Sequence, residues 1–103
     1  VVGLPPEITV IELEAMLQEQ ADVFILDVRE PVEYEQHHLN GYLIPLNQLP
    51  ARLNELRQHQ EKTIVVHCEH GIRSLHAAHF LIQSGFLNVY SLRGGMAAWL
   101  ERV

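Results

Sequence analysis

Thr63-Ile64-Val65-Val66-His67 is a short, β-branched run, and Cys68-Glu69-His70-Gly71-Ile72-Arg73-Ser74 follows it directly. The first stretch reads as a buried strand. The second reads as a tight loop opening a helix that continues through Leu75, Ala78 and Ile82 and stops at Gly85. Cys68 therefore stands at the carboxyl end of a strand and faces a helix N-terminus, a position that favours the thiolate, the nucleophilic form of sulfur. Gly71 permits backbone angles that turn successive N–H groups inward as an anion nest. Arg73 adds a fixed positive charge. The bland reading of Cys68, a small buried hydrophobe, stands beside this one, but the strand end, glycine loop and following helix coincide around it.

The same alternation extends outward from this stretch. Val23-Phe24-Ile25-Leu26-Asp27-Val28 is a second apolar run, expected as a strand covered on both faces. Thr9-Val10-Ile11-Glu12 is a capping box, opening a helix whose apolar face is expected at Ile11, Leu13, Met16 and Leu17. Glu30-Pro31 starts a short helix, Tyr42-Leu43-Ile44 a brief strand, and Leu49, Leu53 and Leu56 mark a further helix. Asn88-Val89-Tyr90-Ser91-Leu92 reads as a last strand and residues 96–99 as a last helix after Gly94-Gly95. Alternating strands and helices imply an α/β fold, a parallel sheet with helices on both faces joined by right-handed crossovers. Ligands in such sheets bind beyond the carboxyl ends of the strands. Three of those ends carry polar groups: Asp27-Val28-Arg29-Glu30, the Cys68 loop and Leu92-Arg93-Gly94-Gly95.

The 103 residues suit one domain, residues 1–103. Thirteen acids against seven Lys and Arg give a formal charge of -6, which argues against nucleic acid as a partner. No apolar run reaches the roughly 20 residues that span a bilayer, so no membrane role is expected. No signal peptide is evident, but the chain starts at Val1 rather than Met and can be part of a larger parent. A single cysteine makes no internal disulfide and fits a reducing compartment, with the cytoplasm expected. His67 and Cys68 point to opposite sides of an extended strand. Together with His70, His76 and His79 they give no compact four-ligand spacing, so neither metal nor other cofactor is expected.

Taken together, Leu26-Asp27-Val28-Arg29-Glu30-Pro31, Glu33-Tyr34 through His38-Leu39-Asn40-Gly41, Ile44-Pro45-Leu46, the loop from Cys68 to Ser74, and Leu92-Arg93-Gly94-Gly95 with Trp99 resemble a single-domain rhodanese. The resemblance covers nearly the whole chain in order and spacing. It is similar both to free-standing bacterial rhodaneses and to rhodanese domains fused behind ubiquitin-like-protein-activating enzymes. It implies a three-layer sandwich around a parallel sheet of about five strands. It also implies a sulfurtransferase: the Cys68 thiolate takes the outer sulfur of thiosulfate or of a donor persulfide, and an acceptor, cyanide in assays or a thiol or protein thiolate, removes it. The loop of Glu69, His70, Gly71, Ile72, Arg73 and Ser74 would hold the persulfide. Asp27 and Arg29 would border and brace the site.

Loop length separates this chemistry from a relative. Four residues lie between Cys68 and Arg73, where cysteine phosphatases have five, and the smaller ring suits one added sulfur better than a phosphoryl group. A phosphatase or arsenate reductase is therefore disfavoured. A catalytically idle module for docking or sensing stays as the rival from another class. Two positions depart from the family pattern: Glu69 and Glu33 stand where basic residues often serve thiosulfate, so thiosulfate is expected to be a poor donor. Tyr42, where a small residue is usual, has no role assigned from sequence. Asp27 is read either as a cap on strand-end amides or as a brace, Arg29 as an ion-pair partner of Glu30 or Glu33, and His70 as a pocket or a solvent residue. His38 is expected to bond across the turn before Gly41, with Gly94, Gly95 and Trp99 serving turn and packing.

Overall fold

The apolar runs around residues 23–28 and 63–67 pair with each other. The computed structural model describes residues 4–102, ordered as β1 (Glu7–Ile8), α1 (Val10–Gln18), β2 (Val23–Asp27), α2 (Pro31–Gln36), β3 (Tyr42–Leu43), two 3-10 segments (Leu46–Gln48 and Leu53–His59), β4 (Thr63–His67), α3 (Ile72–Gln83), β5 (Asn88–Leu92) and α4 (Gly95–Glu101). The five strands form one sheet in the order β1-β5-β4-β2-β3, parallel throughout. The expected α/β architecture is thus present. Its most buried strand, β4, is the one that delivers Cys68.

Strand pleating divides the core in two. Leu26, Ile64, Val66, Cys68 and Val89 face one way and pack with Ala77, Ala78 and Leu81 of α3. Val65 and Leu92 face the other way and pack with Leu13 of α1 and Met96 and Trp99 of α4. The β2–β4 register sets Asp27 opposite His67, on the α1/α4 side. Cys68, one residue on, lies on the α3 side.

Two local expectations need correction, and one strand was not foreseen. In α1 the capping box forms as read, with Thr9 accepting from the Glu12 N–H at 3.1 Å and Glu12 accepting from the Thr9 N–H at 2.9 Å. Its inward stripe, however, is Val10, Leu13 and Met16, leaving Ile11 70% exposed. The helix expected at Leu49, Leu53 and Leu56 is instead two 3-10 segments. Pro50 lacks an N–H and its ring would clash with the carbonyl four residues back, so no α-helix continues through it. Strand β1 was not anticipated, because two residues carry no periodicity.

Tyr42, unassigned from sequence, fastens edge strand β3 to the second 3-10 segment. Its hydroxyl donates to Glu55, and the same carboxylate takes two hydrogen bonds from Arg52, at 2.8 and 3.0 Å.

Candidate active site

Cys68 is 1% exposed, and the chain folds around its sulfur. β4 ends at His67, and the following four residues curl so that backbone donors return to the sulfur. Gly71 N–H lies 3.1 Å from Sγ and Ser74 N–H 3.3 Å, with Ser74 Oγ at 3.5 Å. Gly71 caps α3 in the left-handed region at φ 98°, a conformation that side chains resist. Two N–H groups aimed at one sulfur at a helix N-terminus favour negative charge there, and the Ser74 hydroxyl, which accepts from the thiol, is the nearest side-chain group to turn its proton to the sulfur once the thiol proton has gone.

The outer side of the loop is held by α4. Met96 N–H donates to the Cys68 carbonyl at 2.8 Å and Ala97 N–H to the Glu69 carbonyl at 3.0 Å. A trans peptide points its C=O and N–H in opposite directions. Anchoring these two carbonyls therefore turns the Glu69 and His70 N–H groups away from α4. Gly94-Gly95, read as a turn, also makes room for this contact: a Cβ on Gly95 would stand 2.6 Å from the Glu69 oxygen.

Asp27 and Arg29 form a buried strut rather than a pocket wall. Both are at most 1% exposed. The guanidinium donates to Asp27 at 2.8 to 3.2 Å through Nε and Nη2, and the Arg29 N–H adds a bond to Oδ1 at 3.0 Å. The remaining donors reach the carbonyls of Glu33, at 3.3 Å, and His37, at 2.6 Å, and the Glu69 carboxylate at 3.3 Å. Arg29 was expected to pair with Glu30 or Glu33. It pairs with Asp27 and Glu69 instead and touches Glu33 only through its backbone. One side chain thereby ties α2 to the loop after β4.

His67 lies against this strut, fully buried, with Nε2 3.5 Å from Asp27 Oδ2 and no hydrogen bond at either ring nitrogen. Burial holds its pKa below the ordinary value, against the pull of the Asp27 carboxylate.

Arg73 is clamped. Its Nη1 and Nη2 each lie 2.8 Å from a Glu33 oxygen, a bidentate pair of the strongest kind. Glu33 also accepts the Glu30 N–H at 2.9 Å. The Arg73 bonds hold the Glu33 carboxyl at about 2, against an ordinary 4.5. Because the folded-state value lies below the unfolded one, the stability Glu33 supplies is complete above about pH 4.5 and is lost as pH falls toward 2. Glu33→Gln is expected to melt below wild type near neutral pH, with the gap closing between about pH 4.5 and 2. A gap that persists unchanged to pH 2, read by thermal melts across that range, would remove Glu33 from the acid response.

The remaining candidates divide by exposure. His70 and Ile72 face solvent, while Glu69 is partly covered. His38 accepts the Asn40 N–H at 3.1 Å and stacks on Tyr34 at 4.4 Å, the turn role read for it. Among the described residues no group of three His, Cys, Asp or Glu is placed to hold a metal ion, and no helix is long and apolar enough to cross a membrane. Sequence reasoning missed Ser91, whose Oγ lies 2.7 Å from Ser74 Oγ. A polar residue in a buried strand, in register with Val66, was the available signal.

Comparison with known proteins bears on the same loop and sheet. The family model for the rhodanese-like domain matches residues 9–102. A sulfurtransferase of Allochromatium vinosum is 34% identical over 88 residues, covering 84% of this chain and 80% of its own. The thiosulfate sulfurtransferase GlpE of Coxiella burnetii is 38% identical over 85 residues, 81% of this chain and 77% of its own. The crystal structure of a rhodanese-like domain protein from Staphylococcus aureus superimposes with a TM-score of 0.83 at 32% identity, covering 91% and 90% of the two chains. With nearly every described residue inside the match, the chain belongs to the rhodanese-like family.

Proposed function

We propose that this protein is a sulfurtransferase carrying sulfane sulfur as a persulfide on Cys68. The observation that supports it is the convergence of the Gly71 and Ser74 N–H groups and the Ser74 hydroxyl on one buried sulfur. A module kept only for docking has no need of donors aimed at its thiol. In the first step the Cys68 thiolate attacks the outer sulfur of a donor persulfide. The sulfur–sulfur bond of the donor breaks, a new one forms at Cys68, and the donor leaves as a thiolate. With thiosulfate the leaving group is sulfite. In the second step an acceptor thiolate takes the outer sulfur and returns Cys68 to its starting form. The Glu69 and His70 N–H groups, turned away from α4, are available to the outer sulfur. No cofactor enters either step.

The donor is a persulfide, borne by a small thiol or a protein, rather than thiosulfate. Arg73 is neutralised by Glu33, and Arg29 is shared between Asp27 and Glu69. The two arginines of the site therefore have little charge left to attract a dianion. Intact mass decides between the readings. Incubation with a low-mass thiol persulfide is expected to add the mass of one sulfur atom, and Cys68→Ala to take none. Thiosulfate should load the protein poorly, and Glu69→Lys should raise its kcat/KM about fivefold, the equivalent of about 1 kcal/mol of exposed charge interaction. No adduct from any donor would sink the transfer reading. A micromolar KM for thiosulfate, indifferent to Glu69→Lys, would sink the donor assignment alone.

A further inference from the structure

We propose that Ser91, on β5, is a positioning residue that aims the Ser74 hydroxyl proton at the Cys68 sulfur. The inference rests on reading Cys68 as the reacting sulfur. Ser91 is fully buried and in register with Val66 of β4, so its side chain rises on the α3 side of the sheet, as Cys68 does. Its backbone is fixed from both sides, by β4 and by the bond from its N–H to the Pro6 carbonyl at 2.9 Å. Its hydroxyl has one partner among the described residues, Ser74 Oγ at 2.7 Å. Ser74 Oγ in turn has two, Ser91 Oγ and Cys68 Sγ.

Proton placement follows from this short chain. A buried hydroxyl must put its proton on an acceptor, and for Ser91 the acceptor at hand is Ser74 Oγ. Once Ser74 accepts there, its own proton has the sulfur as its remaining partner. The order Ser91 O–H to Ser74 Oγ, then Ser74 O–H to sulfur, places both hydroxyl protons and leaves the sulfur purely an acceptor. That arrangement fits a thiolate, or the inner sulfur of a persulfide, and each link polarises the next. Without Ser91 the Ser74 hydroxyl is free to turn to a backbone carbonyl one helical turn back, as serines in helices do. The sulfur then loses one of its three donors for part of the time.

The test reads the sulfur directly, so it stands whether or not sulfur transfer occurs. The rate of Cys68 alkylation by iodoacetamide, a small uncharged reagent, is followed from about pH 6 to pH 10 in wild type, Ser91→Ala and Ser91→Thr. Ser91→Ala should react about fivefold more slowly near pH 6, the size expected when a hydrogen bond to a charged group is partly lost. The rates should converge toward the alkaline end of the range. Ser91→Thr keeps the hydroxyl and should follow wild type. In a Ser74→Ala background, Ser91→Ala should have no further effect, since its action passes through Ser74. Equal slowing at every pH would assign Ser91 to packing and overturn the proposal. So would a full fivefold effect in the Ser74→Ala background, a Ser91→Thr variant that tracks Ser91→Ala, or a Ser91→Ala profile that overlays wild type.

Discussion

Asp27→Ala is expected to lower the unfolding free energy by about 3–5 kcal/mol, because it strands a buried cation. Arg29 is 1% exposed and directs Nε and Nη2 at the Asp27 carboxylate. The partner left to it is Glu69, at 3.3 Å and itself 31% exposed, which shares its charge with water. Two backbone carbonyls still accept from the guanidinium, but carbonyls do not neutralise it. Domains of this size are held by about 5–15 kcal/mol in total, so the variant sits near the threshold of folding. Urea titration near neutral pH checks this. Arg52→Ala serves as the contrast, since it breaks a pair with Glu55 in which both side chains are about a third exposed, and such pairs contribute less than about 1 kcal/mol. If Asp27→Ala costs no more than Arg52→Ala, the strut is not what holds α2 to the loop after β4.

That strut marks the boundary of what could be read before the structure. β2, β4 and the long helix α3 were legible because each is a largely apolar run or a period-3.6 stripe ended by glycine, and β5 because a short β-prone stretch stands between two glycine turns. The loop around Cys68 was legible because its donors lie within six residues of the sulfur they serve. Partnerships across the sheet were not. Nothing local to Arg29 shows that its guanidinium turns back on Asp27 and reaches 40 residues ahead to Glu69. Glu33 and Arg73 were both named, one as a departure and one as a loop charge, yet their bidentate pairing depends on the approach of α2 to α3. Ser91 and the Met96 and Ala97 N–H groups come from the β5–α4 segment, whose glycines read as a turn. Only the β4–β5 register sets them against the loop. The two leucine-spaced 3-10 segments failed differently: the spacing was right, but Pro50 stops one α-helix from running through both.

Gly95→Ala is expected to reduce sulfur transfer about 100-fold while leaving a folded protein, the loss typical of moving a reacting group by about 1 Å. Gly95 sits at φ 61°, where a side chain costs about 1–2 kcal/mol. The added methyl group would also run into the backbone of the loop, with the Glu69 carbonyl carbon 2.7 Å away and the Cys68 oxygen in the same path. Backbone cannot rotate aside as a side chain can, so either α4 or the loop must shift. Either movement breaks the bonds from Met96 and Ala97 to the Cys68 and Glu69 carbonyls. The peptides those bonds orient are then free to turn, and the donors around the sulfur disperse. A total stability loss of about 2–5 kcal/mol accompanies this, strain and overpacking combined. Leu13→Ala separates the site effect from general weakening. It empties a fully buried position in the α1/α4 core at a comparable cost of about 2–5 kcal/mol, but pushes nothing against the loop backbone. Transfer per folded molecule, measured at a temperature where both variants remain folded, should stay within about twofold of wild type in Leu13→Ala and collapse in Gly95→Ala. Equal losses in the two would mean that α4 stabilises the domain without shaping the sulfur site.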